Sequence, residues 1–201
     1  MTTETSTATR PLPDLRPALL HAVHRAEALV DLAAGADLDA ATPCEDYDLR
    51  TLLGHLLTVV DRVRVVTGGG HFAEVPQVTE VADEEIVTAW RTAVAALESA
   101  LPSVDLTRLV TAPFGEVPAG AAIGSYVGEV AVHTWDLAAT LDRRDLLDQH
   151  LAASVLPSAL DRLPAAGRDQ IPFGDVVPVA DDAAPYDRLV AWFGRRPGWP
   201  A

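Results

Sequence analysis

Five long stretches of this sequence place apolar residues at the three- and four-residue spacing of one helix face, and four of them are closed by Gly or Pro. That pattern leaves few options besides helices packed on helices. Leu15 to Ala34 carries Leu19, Leu20, Val23, Ala26 and Val30 at helical spacing and ends at Gly35, a suitable residue just past a helix end. Thr42-Pro43-Cys44-Glu45-Asp46-Tyr47 forms a turn-rich lead-in. Asp48 is then placed as N-cap of a helix running to about Thr67, with Gly68-Gly69-Gly70 stopping it. A third helix is expected from Asp83 to Leu101, a fourth from Ala121 to Leu141 and a fifth from Arg144 to Leu163. Four or five helices of about 18–20 residues predict an up-down bundle.

Other segments depart from this period. Leu109-Val110-Thr111 and Glu116-Val117-Pro118 are β-prone and flank Pro113-Phe114-Gly115, predicting a hairpin or an irregular excursion. After Pro164 the chain turns loop-like, with a possible strand at Val176-Val177-Pro178-Val179 and a last short helix from Tyr186 to Phe193. The expected organisation is a disordered tail at 1–13, a metal-binding helical bundle at 14–163 and a short extension at 164–201 packed on it.

At 49% apolar residues the chain can bury a sizeable core. No apolar run reaches the ~18 residues of a membrane span. The polar, Thr-rich start reads as a frayed tail rather than a signal peptide. One cysteine, Cys44, rules out an internal disulfide framework and makes a reducing cytoplasm the expected compartment. A net charge of −14 argues against nucleic acid or an anionic membrane as partner. The fifteen basic residues are all Arg, a coding bias that fits a high-GC bacterial source. A homodimer is possible for a bundle of this kind, with no residue that points to one.

Among the six histidines, His21, His24, His71 and His150 read as surface or structural. His55 differs. It lies on the flank of an apolar face centred on Leu56, Val60 and Val63, where an imidazole needs a partner or costs ~1–3 kcal/mol. Gly54 beside it is unusual inside a helix, costing about 0.5–1 kcal/mol against Ala, and predicts a close approach to the backbone there. In the fourth helix, Glu129 and His133 are i and i+4 and share one stripe. An unpaired carboxylate among Val, Ala and Tyr is costly. A divalent metal held by His55, Glu129 and His133 resolves this, and two imidazoles with one carboxylate suit Zn, Fe, Ni or Mn. The spacing leaves the alternative open: Glu129 paired with an Arg, and His133 a core histidine. Asp136, one turn on, either fixes an imidazole tautomer or is a plain surface Asp. Cys44 beside Glu45 and Asp46 is expected to have a raised pKa and to pack at the helix entrance. Trp135 is expected to be half-buried.

Thr42-Pro43-Cys44 followed by Asp48-Leu49-Arg50-Thr51-Leu52-Leu53-Gly54-His55-Leu56 resembles the opening of an actinobacterial family. That family is similar to the metal-binding domain of mycothiol-dependent maleylpyruvate isomerase, in the DinB/YfiT-like superfamily. The resemblance continues through Glu129-Val130-Ala131-Val132-His133-Thr134-Trp135-Asp136-Leu137-Ala138, then Phe173-Gly174, Val177-Pro178-Val179, Asp187-Arg188-Leu189 and Gly194-Arg195. It implies a mainly α, DinB-like four-helix bundle with up-down-down-up connections, a short β excursion and a small C-terminal extension. It also implies one divalent metal, usually zinc, on His55, Glu129 and His133, and mycothiol as co-substrate. The implied activity is a metal-dependent thiol S-transferase or isomerase acting on a small molecule; the catalytic residues beyond the ligands are unknown. The isomerase carries a C-terminal domain that contributes to its active site, whereas residues 164–201 here show only short elements. The alternative is a non-catalytic metal-binding protein serving stress response or ligand binding.

Overall fold

The computed structural model describes residues 13–169 and 171–200. The expected tail at 1–13 lies outside them apart from Pro13. Among the described residues the chain is mainly helical, with six α-helices and one two-stranded sheet. These are α1 (Arg16–Ala33), α2 (Leu49–Thr67), α3 (Ile86–Ala100), β1 (Leu109–Ala112), β2 (Gly115–Pro118), α4 (Ala119–Thr140), α5 (Gln149–Arg162) and α6 (Pro185–Trp192).

Local chemistry sets most boundaries. Asp48 caps α2 by accepting from the Thr51 N–H at 2.8 Å, and Gly68 ends it. The fifth segment does not begin at Arg144. A single 3-10 turn spans Arg144–Leu146, and α5 starts only after Asp148, whose carboxylate accepts from the His150 N–H at 2.9 Å. The hairpin forms where it was expected, pairing Leu109 with Pro118 and Ala112 with Gly115. Val176 to Val179 is not a strand: no described strand lies beside it, Pro178 has no N–H to give, and Val177 instead donates to the Ala191 carbonyl at 3.0 Å.

α1 to α4 form the bundle. α4 and α3 each pack against both α1 and α2, so α1 and α2 sit diagonally and the 34–48 connection crosses one end. α5 and α6 pack on each other and on α4. α4 is therefore covered on nearly every side: Tyr126, Val130, Trp135 and Leu137 are all buried. Trp135 is fully buried rather than half-buried, since the α5–α6 layer closes over a face that bundle geometry alone would leave open. No helix among the described residues is long and apolar enough to cross a membrane.

The chain after α5 is tied back by Arg168, which donates to the carbonyls of Pro164 (2.7 Å) and Gly174 (2.9 Å). Gly194 has φ +84°, and a Cβ there would lie 2.7 Å from Gly174 Cα. Only glycine permits that backbone crossing, which turns Arg195 back toward α4.

Candidate metal centre

α2 and α4 face each other, and the structure brings His55, Glu129 and His133 together with one donor atom of each within 4.8 Å of the others. His55 Nε2 lies 3.4 Å from Glu129 Oε1, and the two imidazole rings meet edge to face at 4.9 Å. The i, i+4 spacing stacks Glu129 over His133, and the α2–α4 packing supplies the third member.

The other ring nitrogen of each histidine is engaged. His55 Nδ1 is 3.1 Å from the Gln77 carbonyl, which can only accept, so Nδ1 carries the proton. The reason for Gly54 is the same loop. A Cβ at 54 would sit 2.5 Å from the Thr79 carbonyl oxygen and 2.8 Å from Val78 Cγ1. The loop lies directly on α2, where Thr79 N–H donates to the Gly54 carbonyl at 3.1 Å and Thr79 Oγ1 bonds Thr58 Oγ1 at 2.8 Å.

His133 Nδ1 is 2.9 Å from Asp136 Oδ2. Asp136 is fully buried, not a surface residue, and Arg195 grips both its oxygens at 3.1 and 3.3 Å. Burial pushes the Asp136 carboxyl up, but the His133 and Arg195 bonds outweigh it and hold it below its ordinary 3.8. Glu129 behaves alike: burial raises it, and the His55 bond with the His55, His133 and Arg62 charges brings it below 4.5. His133 is held below its ordinary 6.5, chiefly by burial, with the Asp136 bond opposing. All three groups thus present the protonation states a metal requires: ionised carboxylates and a neutral imidazole. Each histidine keeps Nε2 for the cluster while an oxygen fixes its Nδ1, the arrangement in which imidazoles bind metals. The donor set fits a divalent ion.

A depressed His133 pKa carries a pH signature. Below its ordinary 6.5 the unfolded chain takes up a proton that the folded chain refuses. The contribution of His133 is therefore complete above pH 6.5 and is lost as pH falls from there toward the folded pKa. With chelator present, the thermal midpoint of wild type should fall more between pH 7.5 and 5.5 than that of His133→Gln. Equal falls would show that burial does not perturb His133.

Thr42 shapes the lead-in turn, donating to the Tyr47 carbonyl (2.7 Å) and accepting from the Cys44 N–H (3.1 Å). The Tyr47 ring then stands 5.2 Å from that of His55. Cys44 comes within 4.8 Å of donor atoms of His133 and Asp136. Its thiol is pushed up to about 11. Burial is the largest cause, with Asp136 and Asp46 adding to it and Arg195 opposing, so the acidic neighbours named from sequence are secondary. Three of the remaining four histidines have structural partners: His21 pairs with Asp148 at 2.6 Å, His24 with Glu98 at 2.9 Å, and His71 caps a 3-10 turn. His150 is exposed. Sequence reasoning missed Gln77, Arg62 and the reach of Arg195. No local spacing announces them, although Gly54 signalled that a loop would arrive.

The fold and the cluster together define a class: helical bundles with a histidine–carboxylate donor set between facing helices. The chain belongs to the family of the mycothiol maleylpyruvate isomerase N-terminal domain, whose model matches residues 19–138. Two uncharacterized proteins of Mycobacterium tuberculosis, Rv0738 of strain ATCC 25618 / H37Rv and MT0763 of strain CDC 1551 / Oshkosh, are each 28% identical over 160 residues. Each alignment covers 79% of this chain and 85% of the relative. The fold is similar to the crystal structure of the mycothiol-dependent maleylpyruvate isomerase. The TM-score is 0.55 at 15% identity, covering 73% of this chain and 70% of that one.

Proposed function

We propose that this chain is a metal-dependent enzyme of mycothiol chemistry, an S-transferase or isomerase acting on a small molecule. His55, Glu129 and His133 would hold a divalent ion, zinc before nickel, iron or manganese. The observation that carries this reading is the pair of imidazoles, each fixed at Nδ1 by an oxygen, converging with one carboxylate. A divalent ion bound there supplies Lewis acidity that makes a thiol available as thiolate near neutral pH.

The chain's own residues prepare for this. Gln77 and Asp136 orient the two imidazoles, and Glu129 stays ionised through its histidine neighbours. Three protein ligands leave room for a fourth group. Cys44, with its pKa near 11, stays protonated and does not compete as a nucleophile. Family membership and the likeness of fold support the mycothiol assignment.

Elemental analysis of untagged wild type, His133→Ala and Glu129→Ala tests the site. About one equivalent of metal is expected in wild type and little in the variants. Substrate conversion in the presence of mycothiol then tests the chemistry, with thiol consumed by a transferase and returned by an isomerase, and with activity expected to follow metal content. Metal without turnover would make the chain a non-catalytic metal-binding protein. No metal uptake by wild type would overturn the reading.

A further inference from the structure

α4 meets solvent along one stripe. From Ala119 to Ala139 every residue is buried except Ala121, Ser125 and Glu129, which follow at i, i+4 and i+8 and so stand one above another. The stripe runs from the start of the helix to the cluster and closes there. The Glu129 side chain is 26% exposed, and that of His133, one turn on, only 9%. α5 and α6 flank the stripe on one side. A Cβ at Gly128 would lie 3.6 Å from Val155 and 3.8 Å from Phe193, and one at Gly124 would lie 3.3 Å from both Nη1 and Nη2 of Arg162. α2 flanks the other side and brings His55 to Glu129. A small molecule moving along the exposed face of α4 therefore arrives at the cluster at Glu129.

An exposed cation stands on this path. Arg162, in the last turn of α5, donates from Nη1 to the Ser125 hydroxyl oxygen at 2.9 Å and to the Ala121 carbonyl at 3.0 Å. Both partners belong to the exposed stripe. Ser125 and Glu129 are one helical turn apart, about 6 Å of rise, so the guanidinium sits about one turn from the open end of the cluster. Its orientation is fixed but its charge is not neutralised. Among the described residues no carboxylate pairs with Arg162, and its Nε and Nη2 make no hydrogen bond. The chain as a whole, at −14, repels anions. At the cluster the sign reverses once a divalent ion is held, because two neutral imidazoles and one carboxylate leave it positive, and Arg162 extends that positive charge along the stripe.

We propose that Arg162 is a specificity-determining residue of the site, binding a carboxylate at one end of a small molecule whose reactive end reaches the cluster. That the ligand is a substrate rests on the enzymatic reading above, while the anion contact itself stands on Arg162 and the exposed stripe. The planar fork of guanidinium donors suits a carboxylate held by two bonds, and the Ser125 hydroxyl and Ala121 carbonyl hold the fork in place. A molecule whose charge and reactive atoms are about one helical turn apart spans the two positions.

Calorimetric titration with acetate and with succinate, at fixed ionic strength and with metal content measured on the same samples, tests the assignment. Acetate occupies the cluster or Arg162 but not both, whereas succinate can span them. Wild type should bind succinate about tenfold or more tightly than acetate. Arg162→Met should lose that preference, with metal content unchanged and acetate binding at the loaded centre altered less than about twofold. Arg162→Lys keeps the charge without the fork and should restore part of the preference. A purely structural tie between α5 and α4 would leave the succinate-to-acetate ratio unmoved in both variants. Arg162 is exposed, so truncating it leaves the core intact, and Arg162→Lys keeps the test open if α5 loosens in Arg162→Met. No preference for succinate in wild type, or a preference retained in Arg162→Met, would overturn the assignment. If wild type takes up no metal, the metalloenzyme reading falls and the metal-free protein decides the anion contact. Succinate binding that weakens in Arg162→Met upholds it there, and absent or unchanged binding overturns it.

Discussion

Asp136→Asn is expected to destabilise the fold by about 3–5 kcal/mol, the usual result of removing one charge from a buried pair. Asp136 is fully buried, the Arg195 side chain is nearly so, and the two are joined at 3.1 and 3.3 Å. Asparagine keeps the shape but leaves the Arg195 charge buried beside a neutral amide. Urea unfolding of the variant measures the loss. The same substitution weakens the acceptor that fixes His133, so metal affinity should fall roughly 10–100-fold. A double variant separates the two effects. Asp136→Leu with Arg195→Met replaces the pair by apolar groups and should recover much of the stability. It should not recover metal affinity, because His133 Nδ1 still lacks its oxygen. Recovery of both would show that Asp136 serves the fold alone. The carboxyl is held below its ordinary 3.8, so its contribution is present above that pH and is lost as pH falls through the lower folded value.

Gly54→Val is the second large effect, and its sign runs against helix propensity. Mid-helix glycine costs about 0.5–1 kcal/mol relative to alanine, so filling an open site at 54 would stabilise. This site is closed. A Cβ would meet the Thr79 carbonyl at 2.5 Å, and backbone yields less easily than the end of a side chain. The loop must lift, breaking the Thr79–Gly54 hydrogen bond and withdrawing the Gln77 carbonyl from His55. A loss of about 1–3 kcal/mol is expected from overpacking. With His55 free to rotate, metal affinity should drop roughly 10–100-fold. Gly54→Ala should show the same direction with a smaller effect. Thermal melts together with metal titration check both, and a stabilised Gly54→Ala would mean that the loop is not seated on α2.

These two sites mark where the sequence was legible and where it was not. Asp48 capping α2, the glycine stop at its end and the hairpin at 109–118 all follow from residues a few positions apart. The stacking of Glu129 and His133 is of the same kind. Gly54 announced that something would touch the helix, but not that Thr79 and Gln77 would. The expected strand at 176–179 failed because β-prone residues need a partner strand, and the fold provides α6 instead.

Local sequence is enough to set most of the helices, the Asp48 cap and the stacking of Glu129 with His133, because hydrogen bonds and side-chain spacing within a turn or two of helix depend only on neighbours in the chain. Tertiary structure alone decided that His55 joins them, that Gln77 fixes its imidazole, and that Asp136, within local reach of His133, is buried rather than on the surface. It also decided that Arg195 crosses 59 residues to Asp136 and that Arg62 Nε is buried without a hydrogen-bond partner among the described residues. Those outcomes depend on how α2 and α4 pack and where two loops close. Burial and charge pairing across such distances belong to the assembled core, and no local pattern encodes them.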